Sequence, residues 1–278
     1  MTLSRKDRLQ TLGLWPMWRL RVHAPVDVEP AVEKELPEKP QSPEPTEPIH
    51  ISEITALAAS KPEPKSEPVS EPEPLRVSAS LDASEIKTLE WDTLNAAIQS
   101  CTRCALTKTR TRAVPGVGDI HADWLFIGEA PGANEDRLGE PFVGDAGQLL
   151  DAMMAAIGLR RGDNVFIANV LKSRPPGNRD PQPEEIAACR PYLERQIELI
   201  QPKLIVALGR FAAQNLLSTD TPIGILRGQV HRYRGLPLVV TYHPAYLLRN
   251  PIDKAKVWED LVLARRTMNE LKSHSVTQ

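Results

Sequence analysis

Trp124-Leu-Phe-Ile-Gly-Glu-Ala-Pro-Gly132 is an apolar run that breaks into a glycine- and proline-rich turn. Four consecutive apolar residues ending at a glycine read as a strand buried on both faces. Three more such runs follow: Val165-Phe-Ile-Ala168, Leu204-Ile-Val-Ala-Leu208 and Leu238-Val-Val-Thr241. Between them lie segments of helical character. One runs from Gly147 to Ile157 and is closed by Gly158, and another is opened by Pro183 and runs to about Ile200, with Pro191 expected to bend it. A third follows Gly209, and a last one covers about Asp253 to Leu271. Upstream, Ile86, Leu89, Leu94, Ala97 and Ile98 recur at helical spacing, which predicts one amphipathic helix ending near Cys101. Strands alternating with helices predict a three-layer α/β/α fold around a central, mostly parallel four-stranded sheet. Ligands of such sheets bind beyond the carboxyl ends of the strands. Gly128 to Gly132, Asn169 and Tyr242-His-Pro244 all stand at such ends.

Outward from this core the composition changes. The chain has 278 residues and 26 prolines, about 9% and nearly twice ordinary usage. Twelve of the prolines fall in residues 25–74, many in Glu-Pro pairs, in a stretch with no aromatic, glycine or cysteine. Such a segment cannot bury enough apolar surface to offset its conformational entropy. Residues 25–83 are therefore expected to be a disordered Pro/Glu-rich tether, and 84–278 a single folded domain. Residues 1–24 hold Trp15, Trp18 and several leucines, but Pro16 and Arg19 break the apolar core a signal peptide needs. They read as a short peptide that docks another protein, or as a frayed terminus. Charge follows the same division: +4 in residues 1–24, −8 in 25–74, and +2 in 75–278. A mildly basic domain permits nucleic-acid binding without demanding it. No apolar run approaches the roughly 20 residues of a membrane span. Three cysteines do not make a secreted disulfide framework, so a cytoplasmic protein is expected.

Two further stretches carry chemistry. Gly139-Glu-Pro-Phe-Val-Gly-Asp-Ala-Gly147 places Phe142 among glycines, as core packing or as a stacking platform. Base–aromatic stacking is worth about 1–3 kcal/mol. Asn169 presents a carboxamide at a strand end, as a cap or as a base reader. The turn after Ile127 lacks the Gly-Lys-Ser/Thr of a phosphate loop.

Glu129 through Leu150, Asn169-Val-Leu-Lys-Ser-Arg-Pro-Pro-Gly-Asn178 and His243-Pro-Ala-Tyr-Leu-Leu-Arg249 resemble, in order, the three signatures of the family 4 uracil-DNA glycosylases. The resemblance covers about residues 95–265. It implies a DNA-repair enzyme that hydrolyses the N-glycosidic bond of uracil in DNA. A non-catalytic DNA-binding relative, or a glycosylase for other deaminated bases, is the alternative. The expected catalytic residues are His243, Glu129 and Asn169. Asn169 would read uracil, Phe142 would stack under it, and Gly128 would line the pocket. His243 would stabilise the leaving base at O2. Gly132 stands where superfamily relatives hold a methyl-blocking tyrosine, so Glu135 is expected to exclude thymine. Ala130 stands where some hold a water-activating aspartate, which leaves Glu129 as the nearest carboxylate. Leu247 resembles the wedge that fills the hole left by the flipped base. Lys172, Arg174 and Arg249 are expected on the DNA backbone.

Cys101-Thr-Arg-Cys104 and Cys189 complete the inventory. A C-x-x-C alone could serve redox, zinc or iron–sulfur chemistry. The family holds a 4Fe–4S cluster on four cysteines, the third in a Lys-Cys-Arg-Pro-Pro stretch and the fourth sixteen residues later. Here the stretch reads Lys172-Ser173-Arg174, and the sixteenth residue after Ser173 is Cys189. The implied ligands are Cys101, Cys104, Cys189 and Ser173. A cluster, a zinc ion, or no metal with the thiols packed as small apolar groups all remain open.

Overall fold

A computed structural model describes residues 81–275, which lie in the unit Val69–Gln278. The expectations for the N-terminal peptide and nearly all of the tether fall outside the described residues.

Six strands form one sheet in the order β1-β3-β2-β4-β6-β5. They are β1 (Val117–Gly118), β2 (Trp124–Gly128), β3 (Val165–Asn169), β4 (Leu204–Leu208), β5 (Val230–Tyr233) and β6 (Leu236–Thr241). The inner four, β3, β2, β4 and β6, are the four expected runs, and they pair in parallel. Two antiparallel edge strands extend the expected sheet, β1 on β3 and β5 on β6. Neither carries an apolar signature: β1 is two residues long, and β5 alternates exposed with half-buried positions.

Every residue of β2, β3 and β4 is buried. Alternate side chains serve opposite faces, as the pleat requires. Trp124, Phe126, Val165, Ile167, Leu204, Val206 and Val239 form one face. Helices α4 (Asp145–Ala156) and α9 (Lys254–Ser275) cover it through Leu150, Met154, Leu261 and Met268. Leu125, Ile127, Phe166, Ala168, Ile205 and Val240 form the other. Helices α5 (Pro183–Ile200) and α6 (Arg210–Leu217) cover that face through Leu193, Ile197, Ala213 and Leu216. Burying each large side chain contributes about 1.5–3 kcal/mol, so the two covered faces dominate the stability.

The expected first helix is two: α1 (Ala83–Ile86) and α2 (Trp91–Ser100). Asp82 and Glu85 close a capping box around α1. Arg195 Nε takes the Leu89 carbonyl at 2.7 Å, drawing it away from a helical ladder. Two short helices are additional and lie at the sheet's carboxyl edge: α3 (Ala133–Leu138) after β2, and α8 (Pro244–Arg249) after β6. A four-residue helix, α7 (Ile223–Leu226), precedes β5.

Candidate active site

Parallel pairing sets the frame. Gly128 at the end of β2 stands opposite Asn169 at the end of β3. The Gly209 amide, just past β4, donates to the carbonyl of Thr241 at the end of β6 at 2.8 Å. Three strand ends therefore open onto one cavity of about 390 Å3. Its walls include Glu129, Glu135, Phe142, Asn169, His243 and Arg249, six of the residues singled out in the sequence.

Phe142 sits at φ 55°, a backbone region uncommon for any residue but glycine and worse for a bulky one. Its ring lies 5.4 Å from that of His243, centroid to centroid, tilted by 30°. Asn169 is 2% exposed, and its Oδ1 is buried with no hydrogen-bond partner among the described residues. A buried amide oxygen left unpaired costs free energy unless something supplies a donor.

His243 is the N-cap of α8. Its Nδ1 accepts the Ala245 amide at 3.1 Å, so the neutral ring carries its proton on Nε2. Burial lowers the imidazole to about 4, with the Arg249 charge adding and Glu135 opposing. The ring is therefore a neutral donor at ordinary pH. Glu129 goes the other way: burial and the Asp180 carboxylate raise it, while Arg210 opposes. Glu135 holds the loops on either side of it. Its carboxylate accepts the Gly132 amide at 3.1 Å and the Val143 and Gly144 amides at 3.0 and 3.3 Å.

Two expected roles do not survive. Leu247 is 1% exposed and packs in the core with Leu150 and Leu261, so it presents nothing to a base step. The helical turn of α8 exposes Leu248 instead, at 46%. Lys172 is 2% exposed, and its Nζ donates to the Asn169 carbonyl at 2.9 Å and to Gln196 Oε1 at 2.6 Å. Held beneath β3, its Nζ reaches no phosphate. Burial lowers it to about 7. Arg174 and Arg249 stay near the mouth. Arg174 Nε bonds Asn178 Oδ1 at 2.7 Å, and Asn178 lines the cavity. Arg179 and Tyr246 also line it, although nothing in the sequence gives either a role of its own.

Residues 115–262 match the model of the uracil DNA glycosylase superfamily. Over 162 residues the chain is 52% identical to a type-4 uracil-DNA glycosylase of Archaeoglobus fulgidus, covering 55% of this chain and 81% of that relative. The chain belongs to the type-4 uracil-DNA glycosylases. Similar type-4 enzymes occur in Pyrobaculum aerophilum, 42% identical over 63% of this chain and 93% of the relative, and in Sulfurisphaera tokodaii, 46% identical over 64% and 84%.

The cysteines of this type-4 chain depart from a four-thiolate site. Cys104 and Cys189 pack with Leu106 and Leu171, and Cys101 packs with Ile98 and Tyr192. Burial, with the neighbouring cysteines adding, raises the thiol of Cys104 and pushes that of Cys189 up to about 11, so without a metal both stay protonated. At the fourth position the Ser173 hydroxyl oxygen accepts from Arg110 Nη1 at 2.8 Å. Arg110 Nη2 also holds the Cys101 carbonyl at 2.9 Å. A guanidinium thus occupies the donor that the missing cysteine would supply. Among the described residues no three Cys, His, Asp or Glu side chains come together as a metal site. These residues do not fit a four-cysteine cluster.

Proposed function

We infer that this chain is a DNA glycosylase that hydrolyses the N-glycosidic bond of uracil in DNA and so opens base-excision repair. The observation that carries the reading is the buried, unpartnered Oδ1 of Asn169 in the cavity wall. Uracil offers a donor at N3 and an acceptor at O4. The Asn169 carboxamide offers the complement, Oδ1 for N3–H and Nδ2–H for O4. Cytosine, with an acceptor at N3 and an amino group at position 4, would strand both groups. A site built to hydrogen-bond its substrate rejects such a mismatch strongly.

The target base leaves the duplex and enters the cavity. Phe142 stacks on its ring. As the bond from N1 to C1′ breaks, negative charge gathers on uracil O2, and the sugar becomes an oxocarbenium. The Nε2–H of neutral His243 donates to O2. One such donor contributes about 3–4 kcal/mol to the transition state. Water then adds to C1′ and gives up a proton. Glu129 is the acceptor we assign, since its raised affinity for protons suits a base. Glu135 fixes the loop beside the ring and so the space a thymine methyl would need.

Arg249 and Arg174 at the mouth fit phosphate contacts, which position the duplex without reading sequence. The domain limits 84–278, a cytoplasmic place of work and a docking role for residues 1–24 belong to the same proposal. Among the described residues no helix is long and apolar enough to cross a membrane.

The test is excision from oligonucleotides carrying one uracil, single- and double-stranded, by the full chain and by Asn169→Asp. Alkali-labile sites at uracil are expected from the wild type. Asn169→Asp should lose at least about a hundredfold on uracil and gain ground on cytosine, because the carboxylate can only accept. An unchanged uracil-to-cytosine ratio would remove Asn169 from base reading.

A further inference from the structure

The floor of the cavity is held in an unfavourable backbone conformation, and something must hold it there. Phe142 is a bulky residue at φ 55°. Such geometry persists only where neighbouring structure over-determines it. One restraint is local. A β-carbon at Gly147 would come within 1.8 Å of the Phe142 carbonyl oxygen, so that carbonyl lies flush against the first turn of α4.

The second restraint comes from beyond the far end of α4. Arg161 Nη1 donates to the Pro141 carbonyl at 3.0 Å, and Nη2 donates to the Phe142 carbonyl at 2.9 Å. One guanidinium therefore bridges two successive carbonyls. Its Nε is taken by Asp151 Oδ1 at 3.0 Å, which orients the fork. Rotation about the Phe142 N–Cα bond would move its carbonyl relative to that of Pro141, breaking one of these bonds, and would swing the aromatic ring. That ring faces His243 at 5.4 Å, and its Cζ would lie 2.6 Å from a β-carbon at Gly128. The orientation of the Phe142 backbone thus sets the floor against which a base would lie.

We propose that Arg161 is a positioning residue for the base platform: its fork on the Pro141 and Phe142 carbonyls holds Phe142 in the left-handed conformation that lays its ring beside His243. Asp151 is the second member of the clamp. The proposal rests on the reading of Phe142 as the stacking surface for uracil. It assigns Arg161 no contact with substrate and requires it to act through Phe142 alone. Lysine is a poor substitute, because a single ammonium has no planar fork to span two carbonyls.

The experiment is a double-mutant cycle on the full chain, read as kcat and KM for a uracil oligonucleotide, with a thermal melt for each variant. Phe142→Ala should lower kcat/KM by about ten- to a hundredfold, as loss of base stacking predicts. Arg161→Ala alone should cost about tenfold, and Arg161→Lys should recover little of it. In the Phe142→Ala background, Arg161→Ala should add less than about twofold. The full tenfold loss in that background would overturn the clamp and leave the stacking role standing. Wild-type kinetics in Arg161→Ala would overturn it too. Wild-type kinetics in Phe142→Ala would instead sink the stacking role itself. If Arg161→Ala melts too low to assay, Asp151→Asn and Arg161→Lys carry the same cycle, with the same non-additivity expected and additive losses overturning the proposal.

Discussion

A β-carbon placed on Gly128 would lie 2.4 Å from Asn169 Oδ1 and 2.6 Å from Phe142 Cζ. The two residues face each other across parallel strands, and the missing side chain at 128 lets the amide and the aromatic ring approach. Gly128→Ala is therefore expected to displace the Asn169 amide, the Phe142 ring, or both. Uracil excision should fall by about a hundredfold or more, since misplacing a catalytic group by an ångström costs that much. The melt should move much less than the rate. An active Gly128→Ala enzyme would show that the close approach is not needed.

If His243 donates to the leaving base, it carries a pH dependence of its own. Its folded-state value of about 4 lies below the ordinary 6.5, so the ring stays neutral across the neutral range. His243 should contribute no acid limb near 6.5 to the excision rate, and its own contribution should fall only below about pH 5. The stability contribution follows from linkage: it is complete above about 6.5 and is lost as pH falls toward 4, because the unfolded chain takes up the proton first. His243→Ala should slow excision by about 10²–10³ fold. A rate profile that breaks near 6.5 and loses that break in His243→Ala would contradict a neutral donor.

Leu247 and Leu248 divide two roles that a sequence merges. Leu247→Ala empties a packed core position and should cost about 2–5 kcal/mol of stability. Leu248→Ala should leave the melt nearly unchanged. If Leu248 is the side chain that enters the duplex, its loss should slow excision from double-stranded DNA more than from single strands. Equal losses on the two substrates would deny Leu248 that part.

Ser173→Cys restores four thiols where Arg110 now holds a hydroxyl. Expressed with ample iron, that variant should carry more iron and sulfide per chain than the wild type, with stronger absorption near about 400 nm from cysteine-to-iron charge transfer. Equal iron in the two proteins would mean that the serine is not what separates this site from a four-cysteine one.

What could be read from the chain was written in runs and strand ends. A strand covered on both faces is apolar along most of its length, so β2, β3, β4 and β6 announced themselves, and with them the parallel sheet. The edge strands β1 and β5 are half in water and carried no such mark. His243 and Asn169 drew the eye because a parallel sheet gathers its ligand groups at carboxyl ends, and Phe142 because it stands among glycines. The sequence determined which chemical groups the cavity would hold. Tertiary packing alone decided how they are used. Leu247 faces inward and Leu248 outward because the turn of α8 is set by contacts with α4, which no local pattern encodes. Lys172 lies beneath Asn169 because Gln196, 24 residues away, receives its ammonium. Arg161 reaches back 19 residues to the Phe142 carbonyl, a partnership that exists only once α4 is folded between them. Such pairings depend on distances between remote segments, and burial, not residue type, fixes what each group can do.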